Sequence, residues 1–350
     1  MNSKIKNRLI SNREYPLIIG EVSANHSNSL KKIYKMIDCA SEIGLEAIKF
    51  QTYDLNEMTL NSKKKNFLLK NIFSNNKWNN RSLYSLYKEA YLPFEWHKKI
   101  FKRAEKKGLL CFSSVFDEKS LNFLKELNCP AYKIASLESL HFPLIKKVIQ
   151  AKKLIIVSTG TLNIHEINEL VKFLKKNNAK FTLLHCVTQY PADNNNCNLS
   201  MISYLKKKYN CAIGFSDHTT SSLAALTAVG LGANLIEKHF MIKENDKTLD
   251  SEFSFGPQKM EKLILESRLV WESIGKIKKN IPKAEKFYKK FSRSIYACKN
   301  ILKNEAITKK NIRVIRPGFG MEPKFFYKIL GKKAIKNIEL GDPINFNKIK

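Results

Sequence analysis

The chain has 350 residues, 43% of them hydrophobic, with 62 lysines and arginines against 31 acidic residues and a formal net charge of +31. That length and apolar content fit one large domain plus a small one, and exclude a disordered chain. No apolar run approaches the ~18–20 residues of a membrane span, and the basic N-terminus lacks an apolar h-region, so a cytoplasmic protein without membrane association is expected.

The charge invites a nucleic-acid reading. Only eight of the basic residues are arginine, however, and base and phosphate readers rely on arginine's bidentate fork. The lysine runs at 63–65 and 206–208 flank helical patterns, so they read as a solvated coat and no nucleic-acid partner is expected. Seven cysteines fall singly at 39, 111, 129, 186, 197, 211 and 298 without a CxxC pair. This is the pattern of reduced thiols, not of a disulfide framework or a zinc site.

In chain order, short β-rich runs alternate with amphipathic stretches. The predicted strands are LIIGEV (17–22), AIKFQTY (47–53), LLCFSSV (109–115), AYKIAS (131–136), LIIVSTG (154–160), FTLLHCV (181–187), CAIGFSDH (211–218) and NLIEKHF (234–240). Between them lie helix-period segments such as 30–44, 94–108 and 164–178, closed by glycine or asparagine. Eight such repeats predict an α/β (β/α)8 TIM barrel with its site at the C-terminal strand ends. The competing doubly wound sheet lacks a G-x-G-x-x-G after its first strand.

Those ends collect polar groups: Glu21; Lys49 and Gln51; Ser113 and Ser114; Lys133 and Ser136; Ser158; Thr188 and Tyr190; Ser216 and His218; Glu237 and His239. Each alone has a bland reading, such as a snorkelling lysine or a serine capping the next helix. The same bias at all eight ends predicts a site. The small-residue crossover at 222–233 makes strands seven and eight neighbours, about 4.8 Å apart. Their imidazoles, His218 and His239, are then either core histidines or ligands to one metal ion at about 2.0–2.2 Å. The lysines and serines make a cationic, hydroxyl-rich pocket suited to a small phosphorylated anion.

A long amphipathic helix (257–275) follows, completing a catalytic domain over 1–279. A basic linker (280–293) leads to a small β-rich module (294–350) containing the near-repeats CKNILKNEAI and IKNIELGDPI. In this module Arg316 reads either as a surface charge or as a clamp for an oxyanion or sugar hydroxyls.

The motifs EVSANH, AIKFQTY, AYKIAS-x-E, IVSTG, LHC-x-x-x-YP, GFSDHT, EKHF and RPGFG, in this order over about 15–350, resemble the sialic acid synthase family. Within it, LNSKKKNF, LYSLYKEAYLPFEWH, LDSEFSF and RPGFGMEPKFF look most like the pseudaminic acid synthases. The resemblance implies a TIM barrel followed by an antifreeze-like (SAF) domain. It implies condensation of phosphoenolpyruvate with an N-acetylated hexose, such as a 2,4-diacetamido-2,4,6-trideoxy sugar, to a nine-carbon nonulosonic acid with release of phosphate. It places a divalent metal, manganese with magnesium or cobalt as alternatives, on His218 and His239. Lys49 and Lys133 become phosphoenolpyruvate ligands, assisted by Ser114, Ser136, Ser158 and Ser216. Glu21 becomes the catalytic carboxylate, and Glu138, Tyr190 and Asp250 become sugar contacts. Arg316 would reach the partner's barrel in a homodimer. Val115 and the VTQ at 187–189 depart from the family pattern, and the segment around 70–80 does not align residue by residue. The alternatives are an N-acetylneuraminate or legionaminate synthase, or a class I aldolase with a Schiff base on Lys133 or Lys49.

Overall fold

Apolar strand bodies with polar C-terminal ends can bury themselves by closing into a ring, and the computed structural model, which describes residues 3–70 and 78–350, contains that closed ring. A hairpin comes first, of β1 (Ser3–Ile5) and β2 (Arg8–Ile10). The ring begins with β3 (Leu17–Glu21) and β4 (Ala47–Thr52). After a two-residue antiparallel pair, β5 (Leu68–Leu69) and β6 (Arg81–Ser82), it continues with β7 (Leu110–Val115), β8 (Ala131–Ile134) and β9 (Leu154–Ser158). β10 (Phe181–Cys186), β11 (Ile213–Asp217) and β12 (Leu235–His239) complete it, and β12 pairs back onto β3. All eight ring strands run parallel, in chain order.

Each observed strand lies inside its predicted run and is shorter by one or more residues. Two of the trimmed residues are polar rim positions that leave the sheet: Ser136 opens a 3-10 turn, Ser136–Glu138, and His218 stands just past β11. The helix predicted over 164–178 spans Ile164–Lys176 and starts on a capping box, in which Asn163 and Glu166 satisfy each other's backbone N–H groups. Ring and helices share one apolar core, including Ile19, Ile48, Phe112, Ile156, Leu183 and Ile236.

The hairpin was not foreseen. It lies at the N-terminal ends of the strands, where Arg8 forms two hydrogen bonds to the Glu46 carboxylate and Ser3 Oγ donates to the Phe181 carbonyl. Ile5 and Ile10 are fully buried there.

The chain divides into two compact units, 1–275 and 276–350. In the second, helical turns at Lys283–Lys286 and Tyr288–Phe291 occupy the stretch read as a linker. They precede β13 (Ser294–Ala297) and β14 (Ile312–Ile315), an antiparallel pair. The two near-repeats meet each other: Ile301 and Ile338, the isoleucines of the two KNI triplets, exchange both backbone hydrogen bonds, at 2.8 and 2.9 Å. Asn300 accepts from the Leu340 N–H, and Asn337 accepts from the Lys303 N–H. Around them Ile295, Ile307, Ile312, Ile329 and Ile344 form the unit's own core.

Candidate active site

Parallel register sets the site. His239 pairs with Glu21, Glu21 with Lys49, Ser114 with Lys133, Cys186 with Ser216, and Ser216 with Glu237, so these side chains leave neighbouring strands at matching heights. Glu21, Lys49, Lys133 and Glu237 are 1%, 2%, 2% and 5% exposed. Charges buried this deeply are tolerated only when paired, and here they alternate. Lys49 Nζ lies 2.5 Å from Glu21 Oε2, 3.7 Å from Glu237 Oε1, and donates to Ser114 Oγ at 3.0 Å. Lys133 Nζ donates to both oxygens of Glu237 at 2.8 Å. Ser216 Oγ adds a hydrogen bond to Glu237 Oε1 at 3.1 Å, and Gln51 Nε2 donates to Glu21 Oε1 at 3.1 Å. Burial alone would raise the Glu237 pKa, but the ammonium groups of Lys133 and Lys49 together outweigh it and hold it at about 2. Burial likewise opposes the charge on Lys49, and the carboxylates of Glu21 and Glu237 outweigh it and raise its pKa.

The hydroxyl groups predicted for the site stand beside this chain. Ser136 Oγ accepts from the Gly160 N–H at 3.1 Å. Glycine is required at 160, because a Cβ there would lie 2.4 Å from Thr188 Oγ1 and 2.7 Å from Ser136 Oγ. Ser158 Oγ is buried without a hydrogen-bond partner, as is Thr188 Oγ1. Buried orphan hydroxyls are rare, and two at one barrel mouth mark where a ligand's acceptors fit.

The two imidazoles also converge, with ring centroids 5.5 Å apart at an interplanar angle of 67°. His218 Nδ1 lies 2.8 Å from the Val187 carbonyl, which can only accept, so the proton sits on Nδ1 and Nε2 presents a lone pair. Burial, reinforced by the neighbouring His239, lowers the His218 pKa to about 3 and keeps the ring neutral, as a metal ligand must be. His239 Nδ1 faces Asp250 Oδ2 at 3.6 Å, a carboxylate placed to orient the ring. Asp250 is itself fixed by the Ala24 N–H at 3.2 Å. Among the described residues no cluster of three or more His, Cys, Asp and Glu side chains assembles around an ion. A cation held by this pair would have to take its remaining ligands from water or substrate.

Above the rim opens a cavity of about 250 Å³, lined by Gln51, Ser136, Glu138, Thr188, His239 and Asp250, with Trp78, Tyr87, Tyr190, Leu249 and Phe253 as its apolar walls. The Tyr190 ring lies 4.2 Å from that of His218, 5.4 Å from Trp78 and 5.2 Å from Phe253. Burial raises the Glu138 pKa to about 7. A larger open depression of about 600 Å³, lined by Glu57, Phe94, Glu118, Lys119 and Phe123, contains none of the strand-end groups.

The structure thus gathers Glu21, Lys49, Ser114, Lys133, Ser136, Glu138, Ser158, Tyr190, Ser216, His218, His239 and Asp250 on the first unit, at or just past the strand ends. Arg316 is an exposed residue of the second unit, directly after β14. The segment around 70–80 lies largely outside the described residues. The sequence places Glu237 among the polar strand ends but assigns it no individual chemistry, although it precedes His239 by two positions and so shares its face of the strand. It also passed over Trp78 and Phe253, whose aromatic character carries no site signal by itself.

A closed parallel barrel whose C-terminal mouth holds paired ammonium groups, orphan hydroxyls and two converging imidazoles is the frame of an enzyme acting on small anionic molecules. The NeuB family matches residues 36–279 and a SAF domain matches residues 292–350. The chain is 39% identical over 328 residues to the pseudaminic acid synthase of Campylobacter jejuni, covering 93% of this chain and 94% of the relative. It is 35% identical to the N,N'-diacetyllegionaminic acid synthase of the same species, over 92% of this chain and 96% of that protein. The crystal structure of the N-acetylneuraminic acid synthetase of Leptospira borgpetersenii in complex with citrate superposes with a TM-score of 0.73 at 32% identity, over 82% of this chain and 95% of that one. The chain belongs to the NeuB family and is a sugar-condensing synthase.

Proposed function

We propose that the protein condenses phosphoenolpyruvate with a 2,4-diacetamido-2,4,6-trideoxy hexose, giving a nonulosonic acid such as pseudaminic acid and inorganic phosphate. One observation carries the choice of sugar: the cavity above the charged chain is walled by Trp78, Tyr190, Phe253 and Leu249. Such walls receive a deoxy methyl and acetamido methyls, whereas a polyhydroxylated sugar would lose hydrogen bonds to water against them. The 39% identical relative is named for the same product class.

In this reading Lys49 and Lys133 hold the phosphate and carboxylate of phosphoenolpyruvate. Ser114, Ser136, Ser158 and Ser216 donate hydrogen bonds, the unpartnered Ser158 hydroxyl among them. Glu138, Tyr190 and Asp250 face the sugar. His218 and His239 would hold a divalent cation, manganese in this proposal, which would supply Lewis-acid polarisation of the sugar's aldehyde. Carbon 3 of the enol attacks the aldehyde carbon, water adds at the electron-poor carbon 2, and phosphate departs with cleavage of its C–O bond. Glu21 orients that water and takes its proton, help typically worth ~10²–10⁴-fold. The aldolase alternative would fall on Lys133, whose pKa burial lowers, but both lysines are engaged by carboxylates and the Lys49 pKa is raised.

The test measures phosphate release from phosphoenolpyruvate with Mn²⁺ and a panel of sugars. Turnover is expected with a 2,4-diacetamido-2,4,6-trideoxy hexose, with loss on chelation and recovery on adding Mn²⁺. A higher kcat/KM for N-acetylmannosamine would reverse the sugar assignment, and no phosphate release with any sugar would overturn the reaction.

A further inference from the structure

Lys49 and Lys133, the groups that the reading above gives to phosphoenolpyruvate, already have a shared anionic partner. Glu237 receives Lys133 on both oxygens at 2.8 Å, stands 3.7 Å from Lys49 and accepts from Ser216 at 3.1 Å. With Glu21 at 2.5 Å from Lys49, the buried chain Glu21–Lys49–Glu237–Lys133 sums to zero charge. A neutral chain offers an incoming anion no net attraction. The donors engaged with Glu237 become available only as they turn away from it. Two of the three N–H groups of Lys133, and the Ser216 hydroxyl, are committed to that one carboxylate.

We propose that Glu237 is the internal competitor of the anionic substrate. In the free enzyme it occupies the lysines' binding capacity and fixes their positions, and on substrate binding it cedes that capacity. It is a positioning residue that sets both affinity for phosphoenolpyruvate and release of phosphate. The inference rests on the preceding assignment of the two lysines to phosphoenolpyruvate.

The sign of its effect separates this role from a structural one. Removing a scaffold weakens binding. Removing a competing charge a few ångströms from the anion site strengthens it, at an effective dielectric near 20 by more than about tenfold. The experiment titrates phosphoenolpyruvate, and separately inorganic phosphate, into wild type, Glu237→Gln and Glu237→Asp, with folding checked by thermal melting. Glu237→Gln is expected to bind both anions at least about tenfold more tightly, and to lower KM for phosphoenolpyruvate and kcat together because phosphate leaves slowly. Glu237→Asp, which keeps the charge, stays within about threefold of wild type in Kd. Unchanged or weaker binding by Glu237→Gln, or equal tightening by Glu237→Asp, overturns the proposal. A wild type that binds inorganic phosphate but not phosphoenolpyruvate sinks the earlier substrate reading, and the phosphate titrations still decide Glu237. If Glu237→Gln does not fold, a crystal structure of wild type with phosphoenolpyruvate decides. At least one Lys133–Glu237 contact should lengthen beyond hydrogen-bond reach, and two intact contacts overturn the idea.

Discussion

Glu138 sits on the turn after β8, and its carboxyl titrates near 7 because burial disfavours the charge. A folded pKa above the ordinary carboxylate value means that the folded chain holds a proton which the unfolded chain releases. The stability it contributes is complete at acid pH and is lost as pH rises from about 4.5 through about 7. Wild type should therefore lose stability relative to Glu138→Gln between about pH 5 and about pH 8, as read by denaturant unfolding at both. A constant difference across that interval would contradict the assignment. The polar strand ends were legible residue by residue, since each breaks an apolar run at a predictable place. The pairing pattern of Glu237 was not. Which lysine a carboxylate meets depends on the register and spacing of strands more than 100 residues apart in the chain, as with Lys133 and Glu237.

At the scale of elements, β11 and β12 carry a second buried ion pair, turned away from the site. Asp217 and Lys238 are both 0% exposed and meet at 3.0 Å. Asp217 Oδ1 also accepts from the Thr219 N–H, while Lys238 Nζ donates to the Thr219 carbonyl and lies 4.4 Å from the centre of the Phe255 ring. The pair thereby clamps the turn that bears His218. Lys238→Met leaves Asp217 buried without its cation and should destabilise the fold by about 3–5 kcal/mol, with weaker Mn²⁺ binding as the turn loosens. Denaturant midpoints and a metal titration would check both, and wild-type values in each would refute the clamp. Alternating β and helix periods revealed all eight strands and their order. The β1–β2 hairpin escaped notice because three-residue strands are too short to display a period.

For the whole molecule, the two units raise the question of what the small one does for the barrel. The family resemblance implies a homodimer in which Arg316 serves the partner's site, and we propose that arrangement here. Mixing Lys133→Ala and Arg316→Ala subunits should then restore activity, because one of the two sites in a heterodimer keeps both groups. Mixed dimers that remain inactive, formed from well-folded variants, would rule this out. Among the described residues no helix is long and apolar enough to cross a membrane. The lysine excess, read from the start as a solvated coat, lies mostly at exposed positions, while Lys49 and Lys133 are 2% exposed.

The paired KNI triplets of the small unit carry a consequence for how it comes into being. Each triplet's asparagine caps the other's chain, and each isoleucine completes the other's backbone. Neither half has a finished edge until its counterpart arrives, so no intermediate with one half formed is favoured. A segment this short, with few core residues to spare, is left to assemble as an all-or-none pairing of two look-alike arms.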